Sequence, residues 1–454
     1  MNPSDENLAV SLNPQWSAKP LTISDFFDRD VRKSILERLD SKQILCLLGA
    51  RRTGKTSLLK CILSDLLSKG VPQKQLFYFS FDELMAPDHA YLDALLSFFF
   101  ERIAEHEKAR CYIFLDEIHN IDFWQAILKR HYDSLHPNAK FLVTGSSSVW
   151  IKRKSRESLA GRAYDLRVRT LSFGEYLGFC GVKIPPPATP ASFADIEKFR
   201  RSLLLNEKEI VKRFDDHLLR GGFPETISAK MTLPEAQSYI WSQVVEKTVL
   251  RDLSLYFPVE NPMIILEILK ILAWQSSGLF ELKNLAGTLG VNAATVSRYI
   301  SYLEIGYLLE FSYNYTKSRV KQVRSLKKAY ASDTGLITAI GRLGEDTLQH
   351  PDETGRIVET AVRNHLSRYA ECYFWRDEHK NEVDIVARYR KSLLPVEVKY
   401  VDRVSGGDLK TLRSFMDKYS LRRGIIATKS VMENLGDIWA VPAWLLMLMR
   451  WEDR

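Results

Sequence analysis

The residues best suited to chemistry begin at Gly49. Gly49-Ala50-Arg51-Arg52-Thr53-Gly54-Lys55-Thr56 fits G-x-x-x-x-G-K-[ST] and is followed by Ser57. Two glycines allow the backbone to turn its N–H groups inward around phosphate oxygens. A helix starting near Lys55 adds the positive end of its dipole. In such a loop Lys55 reaches the β- and γ-phosphates and Thr56 offers a hydroxyl to magnesium. A second group lies at Cys111-Tyr-Ile-Phe-Leu-Asp116-Glu117, where an apolar run ends in two acids. A buried strand of this kind, a Walker B signature, delivers Asp116 to a magnesium shell and leaves Glu117 to polarise an attacking water.

Two further positions belong to the same chemistry. Lys140-Phe-Leu-Val-Thr-Gly-Ser-Ser-Ser148 ends in hydroxyls. Thr144 or Ser146 is either a γ-phosphate sensor or part of a strand-end turn. Arg162, in Ser158-Leu-Ala-Gly-Arg162, is a catalytic candidate as an arginine finger, or an ordinary surface arginine. Near the other end, Glu359, Asp384, Glu397 and Lys399 follow the PD-(D/E)xK pattern, with Val383 where a proline often stands. Alternation along a strand puts Glu397 and Lys399 on one face. Asp384 and Glu397, completed by Glu359, are candidate ligands of a second Mg2+ or Mn2+, and Lys399 of a water attacking a phosphodiester. Such domains also keep the fold and lose the reaction, so both outcomes stand.

Several elements must position these groups. Ile44–Leu48 reads as a buried strand, and Leu58, Leu59 and Ile62 recur at helical spacing after the loop. Strands alternate with helices over 44–145, which predicts a parallel sheet with its ligand at the strands' carboxyl ends. The polar, proline-containing start reads as a loose arm, 184–195 as a loop and 198–258 as helical. Over 264–310 the pattern is a winged helix-turn-helix. Thr295, Ser297, Arg298 and Ser301 would face a DNA major groove. The run Lys317, Arg319, Lys321, Arg324, Lys327 and Lys328, with no acid between, suits a wing on phosphate. A winged helix equally serves as a protein–protein module.

The whole chain has 454 residues and a net charge of +8, which predicts several domains and is compatible with nucleic acid. Five scattered cysteines with no C-x-x-C pair exclude a zinc ribbon and point to buried thiols. No signal peptide is visible, and the longest apolar stretch, Ile438 to Met449, is too short to span a bilayer. A cytoplasmic protein without membrane contact is expected.

Together these motifs resemble the bacterial and archaeal ATPases of the AAA+/STAND branch. The likeness rests on Gly49–Thr56, Leu115-Asp-Glu-Ile118, Val143–Ser147, Leu159–Arg162, Leu171–Tyr176, Leu219-Arg-Gly-Gly-Phe-Pro-Glu225 and Tyr330–Leu336. The resemblance implies that Pro224 packs near the adenine, that Arg220 is a lid arginine, and that a restriction-endonuclease-like domain ends the chain. The expected fold class is α/β: a P-loop NTPase core with an AAA+-like parallel sheet, a helical lid, a winged helix-turn-helix and a C-terminal nuclease-like α/β domain. The expected division is a flexible arm over 1–22, the core over 23–170, the lid over 171–260, the winged helix over 261–326 and the nuclease-like domain over 327–454. The expected activity is ATP binding and hydrolysis with Mg2+, coupled to DNA, with oligomers compatible. The alternative is an ATP-dependent switch or scaffold with little turnover, an inactive nuclease-like domain and a protein partner on its C-terminal half.

Overall fold

The computed structural model describes residues 3–17, 28–82, 89–104, 110–145, 159, 161–318, 326–390 and 392–451. Arg319, Lys321, Arg324 and Ser146 lie outside the described residues. The chain divides into two compact units, Met1–Arg169 and Thr170–Arg454.

The first unit is built on five parallel strands, β1 (Ile44–Leu48), β2 (Leu76–Ser80), β3 (Tyr112–Asp116), β4 (Lys140–Gly145) and β5 (Ala163–Arg167), in the order β2-β3-β4-β1-β5. Near-continuous apolar runs form these strands because both faces are covered. On one face the helix Lys55–Ser68 packs Leu58, Leu59, Ile62 and Leu66 against Leu45, Leu47, Phe114 and Leu142. Each such leucine, fully buried, contributes about 1.5–3 kcal/mol. On the other face Trp16, Phe77 and Phe99 stack, with ring centroids 5.8 and 4.9 Å apart from Trp16 to Phe77 and from Phe77 to Phe99.

The stretch expected to be a loose arm is instead ordered over residues 3–17. It carries the helix Pro3–Ser11, and it protects the sheet's edge strand β2. The Asn13 amide donates to the Tyr78 carbonyl and its carbonyl accepts the Tyr78 N–H, both at 2.8 Å. The Trp16 indole donates to the Leu76 carbonyl at 2.9 Å. The Asn13 and Trp16 side chains thus satisfy edge groups of β2 that would otherwise be open to a foreign strand.

The second unit starts with helices, among them Phe173–Phe179, Phe193–Leu203, Glu207–Arg220 and Pro262–Trp274. A three-stranded antiparallel sheet follows: β6 (Leu279–Phe280), β7 (Leu309–Tyr313) and β8 (Lys327–Ala331), in the order β6-β8-β7. The helices Leu282–Leu289 and Ala293–Ile305 lie between β6 and β7 in the chain. The last sheet holds β9 (Glu371–Arg376), β10 (Glu382–Arg388), β11 (Leu393–Lys399), β12 (Gly424–Thr428), β13 (Glu433–Asn434) and β14 (Ile438–Pro442), in the order β13-β14-β12-β11-β10-β9. β9, β10 and β11 are antiparallel neighbours, whereas β11, β12 and β14 run parallel.

Candidate functional site

The loop after β1 has the shape that its glycines permit. A Cβ on Gly49 would stand 2.0 Å from the Val168 carbonyl oxygen, so no larger residue fits. Gly54 has φ +86°, in the left-handed region that glycine alone enters without cost, and the helix starts at Lys55. The buried Lys55 ammonium donates to the Gly49 and Ala50 carbonyls at 3.1 and 2.9 Å, which holds it inside the loop. Arg29, which sequence reading missed, ties the loop down from outside. It donates to the Thr53 carbonyl at 3.0 Å and the Arg169 carbonyl at 2.7 Å. Its partners lie 24 and 140 residues away, so no local pattern announces it.

Asp116, at the end of β3, receives three hydroxyls: Thr56 at 2.7 Å, Tyr78 at 3.1 Å and Thr144 at 2.5 Å. The gap between Thr56 Oγ1 and Asp116 Oδ2 is close to the about 2.9 Å edge of an octahedron with ligands at ~2.0–2.1 Å, so the pair fits magnesium. Burial first, then the Glu117 charge, pushes the Asp116 carboxyl up, and the hydroxyls oppose that shift. The Thr144 oxygen also accepts the Glu117 N–H at 2.9 Å, so it sets Asp116 and Glu117 relative to each other. Tyr78 gave no sequence signal beyond standing in an apolar strand.

Glu117 has φ +51°, a conformation that costs a non-glycine residue about 1–3 kcal/mol unless its surroundings enforce it. The Thr144 bond does so, and His119 Nδ1 lies 3.0 Å from the Glu117 carboxylate. Burial works to raise the Glu117 carboxyl, but the hydrogen bond from His119 and the charges of Lys55, His119 and Arg51 outweigh it and hold the group down to about 2. Glu117 is therefore an ionised acceptor, suited to orienting a water.

Arg162 stands beside the start of β1. Its carbonyl accepts the N–H of Ile44, the first residue of β1, at 2.8 Å. The phosphate loop leaves the other end of that strand, five residues on and roughly 16 Å away. Arg162 pairs there with Asp133 at 2.9 Å and does not join the catalytic group of its own chain.

In the second unit, the Gly221-Gly222-Phe223-Pro224 segment has a packing account. The buried Asp333 carboxylate accepts the Gly222 N–H at 3.0 Å and the Gly335 N–H at 2.8 Å. A Cβ on Gly222 would stand 2.5 Å from the Leu171 carbonyl oxygen. Three of the motifs read in the sequence therefore meet one another here. Pro224 opens the short helix Pro224–Ser228, and Arg220 is bonded to Asp216 and to the Met231 carbonyl.

The helix Ala293–Ile305 buries Val296, Tyr299, Ile300 and Leu303 and leaves Ser297, Arg298 and Ser301 exposed, with Thr295 half-buried. The basic run is not one solvated face. Asn314 and Tyr315 join the edge of β9, where Tyr315 N–H donates to the Phe374 carbonyl at 2.7 Å. Lys317 is exposed, but Lys328 is buried. Period-2 alternation on β8 sends Lys327 and Lys328 to opposite faces.

Lys328 enters the expected nuclease constellation. Its ammonium lies 3.0 Å from Glu359, 2.7 Å from Glu382 and 3.8 Å from Asp384. Tyr330 also donates to Glu359 at 2.9 Å. A register shift in β10 between Val383 and Val386 frees Asp384 from the β9 ladder, and Asp384 accepts the Val398 N–H at 2.9 Å. Lys399 pairs with Glu397 at 3.0 Å. Burial first, then the charge of Asp384, raises Glu359 to about 7 and Glu397 to about 8. The four expected residues are thus neighbours. Among the described residues, however, no three His, Cys, Asp or Glu side chains are grouped so as to hold a metal ion. Within the expected metal set of Glu359, Asp384 and Glu397, the Lys328 ammonium meets the charge of Glu359 and Asp384, and Lys399 that of Glu397.

Among the described residues no helix is long and apolar enough to cross a membrane. Comparison with known proteins matches residues 41–177 to an AAA domain family, 211–347 to a domain of unknown function (DUF8612) and 354–446 to another (DUF4143). An uncharacterized protein of Haemophilus influenzae is 23% identical over 91% of this chain and 98% of its own length. One from Methanocaldococcus jannaschii is 27% identical over 66% of this chain and 64% of its own. Solved structures that align include AMPPCP-bound DnaA from Aquifex aeolicus, 13% identical over 64% of this chain and 92% of that one, with a TM-score of 0.29. C. elegans PCH-2 is 16% identical over 36% of this chain and 48% of that one, with a TM-score of 0.25. TM-scores this low carry no argument. The domain match and the loop geometry do: residues 41–177 hold an AAA-type P-loop domain, which supports nucleotide binding.

Proposed function

We propose that this chain is a magnesium-dependent ATPase of the AAA+ type that works on DNA without cutting it. The observation that carries the reading is the bond series Thr56–Asp116–Thr144–Glu117, which joins the phosphate loop to an ionised acid. The loop N–H groups and Lys55 bind the β- and γ-phosphates. Bound at Thr56 and Asp116, magnesium would neutralise phosphate charge. Glu117, fixed by Thr144, orients water toward the γ-phosphate.

DNA contact is assigned to Ser297, Arg298 and Ser301. The helix–strand–helix–helix–hairpin order of 262–331 and the exposure of these side chains support a winged helix. The C-terminal domain is assigned a binding or scaffolding part. The buried Lys328 ammonium among Glu359, Glu382 and Asp384 supports that assignment, because it balances the acids that a metal would otherwise balance. The test is ATP hydrolysis with and without DNA in wild type and Lys55→Ala. Magnesium-dependent turnover that Lys55→Ala abolishes supports the reading; equal rates in both refute it.

A further inference from the structure

The second unit contains a basic cleft that the ATPase and winged-helix readings do not use. It has a volume of about 910 Å³ and lies at the hairpin end of β10 and β11. Asp384 and Glu397 are four residues along the same strands, about 13 Å away. Lys317, Arg388, Arg390, Arg422, Arg423 and Arg450 line the cleft, and no described lining residue is acidic. Arg388 is also paired with Glu371. The lining is basic in a chain whose net charge is +8.

Aromatic rings stand between these charges. Tyr315 and Tyr419 are half-buried wall residues whose centroids are 5.3 Å apart. Lys317 Nζ lies 5.9 Å from the Tyr419 ring, and the Arg423 guanidinium lies 4.6 Å over Trp439. The proline-rich loop forms another wall: its Pro190 and Ala191 carbonyls accept from Arg423 at 3.5 and 3.4 Å. The cations come from separate segments after β7, around the β10–β11 hairpin, after the helix Gly406–Tyr419 and at Arg450. A single phosphate would engage one or two of them; a chain of phosphates engages all.

We infer that this cleft binds single-stranded nucleic acid, with the arginine forks on successive phosphates and the tyrosine faces against unpaired bases. Guanidinium matches phosphate geometry, and base–aromatic stacking tolerates any sequence. A duplex keeps its bases paired inside and leaves the tyrosines without partners, so the strand is single.

The test uses the full chain, fluorescein-labelled 12-mer oligo-dT and the corresponding duplex, read by anisotropy across a salt series. Arg390 and Arg422 are exposed, so the double variant Arg390→Glu/Arg422→Glu should keep the wild-type melting temperature. It should bind oligo-dT about tenfold or more weakly, with a log–log salt slope shallower by roughly 1.4, or about 0.7 for each lost phosphate contact. Lys208→Glu/Lys212→Glu, an equal charge change at exposed positions outside the cleft lining, should leave oligo-dT binding within about twofold of wild type. Wild-type affinity in the Arg390/Arg422 variant, or an equal loss of oligo-dT binding in the Lys208/Lys212 variant, overturns the inference. So does displacement of oligo-dT by polyphosphate or polyglutamate at equal charge, since neither can stack on the tyrosines. ATP turnover in the same preparations tests the ATPase reading separately.

Discussion

Lys328→Met removes a buried ammonium and keeps most of its apolar stem. In the wild type that ammonium faces Glu382 at 2.7 Å, Glu359 at 3.0 Å and Asp384 at 3.8 Å, and its side chain is only 3% exposed. Removing one partner from a buried ionic group costs about 3–5 kcal/mol, because the remaining charges stay desolvated and repel one another. At roughly 2–4 °C per kcal/mol for a domain of this scale, the second unit should melt roughly 6–20 °C lower. Glu382→Gln in the same chain should restore part of the loss, since it removes one of the uncompensated charges. Mn2+ should then stabilise Lys328→Met more than wild type, because a divalent ion can replace the missing cation. The assay is thermal and urea unfolding of wild type, single and double variants, with and without Mn2+. Lys328→Met within about 1 kcal/mol of wild type would refute the reasoning, since it would mean that the acids are balanced in some other way.

Three other outcomes follow from the geometry. Tyr78→Phe and Thr144→Val each take one hydroxyl from Asp116; each should raise the Mg2+ concentration needed for half-maximal ATP turnover, with the larger effect for Thr144, which also holds Glu117. Arg162→Ala should leave turnover unchanged in dilute protein, measured by steady-state hydrolysis, because Arg162 sits at the far end of β1. Burial lowers His217 to about 4 and His365 to about 3, below the unfolded value near 6.5. At these two positions the unfolded chain then binds protons that the folded one refuses, so their contribution to stability is constant above about pH 6.5 and falls as pH drops toward 4 and then 3. His217 alone accounts for roughly 3 kcal/mol over that window, read as a falling melting temperature that His217→Phe should blunt.

How far the sequence discloses this molecule depends on the range of the contacts. The phosphate loop and the Asp116-Glu117 pair are legible because strand, turn and helix follow one another within short segments. The cation that anchors the loop, Arg29, and the third hydroxyl on Asp116, from Tyr78, are illegible because their partners are distant in the chain. The packing of the N-terminal segment is illegible for the same reason: Asn13 looks like a loop residue until Tyr78 offers it an open strand edge. Lys328 is a different failure. It was hidden in a basic run, although the alternation of Lys327-Lys328-Ala329-Tyr330 on a short strand could have shown that one lysine must face inward. His119, two residues after Glu117, was likewise within reach of a local reading.

Glu117, held by Thr144, is proposed to direct water at a nucleotide bound by the Lys55 loop. Steady-state ATP hydrolysis by Glu117→Gln, together with its affinity for labelled ATP, tests that claim most directly. Glutamine keeps the size and a hydrogen-bonding oxygen but loses the charge. Turnover should fall about 10²-fold or more while ATP affinity is retained. Wild-type turnover in Glu117→Gln, or a loss of turnover explained by lost ATP binding, would contradict it.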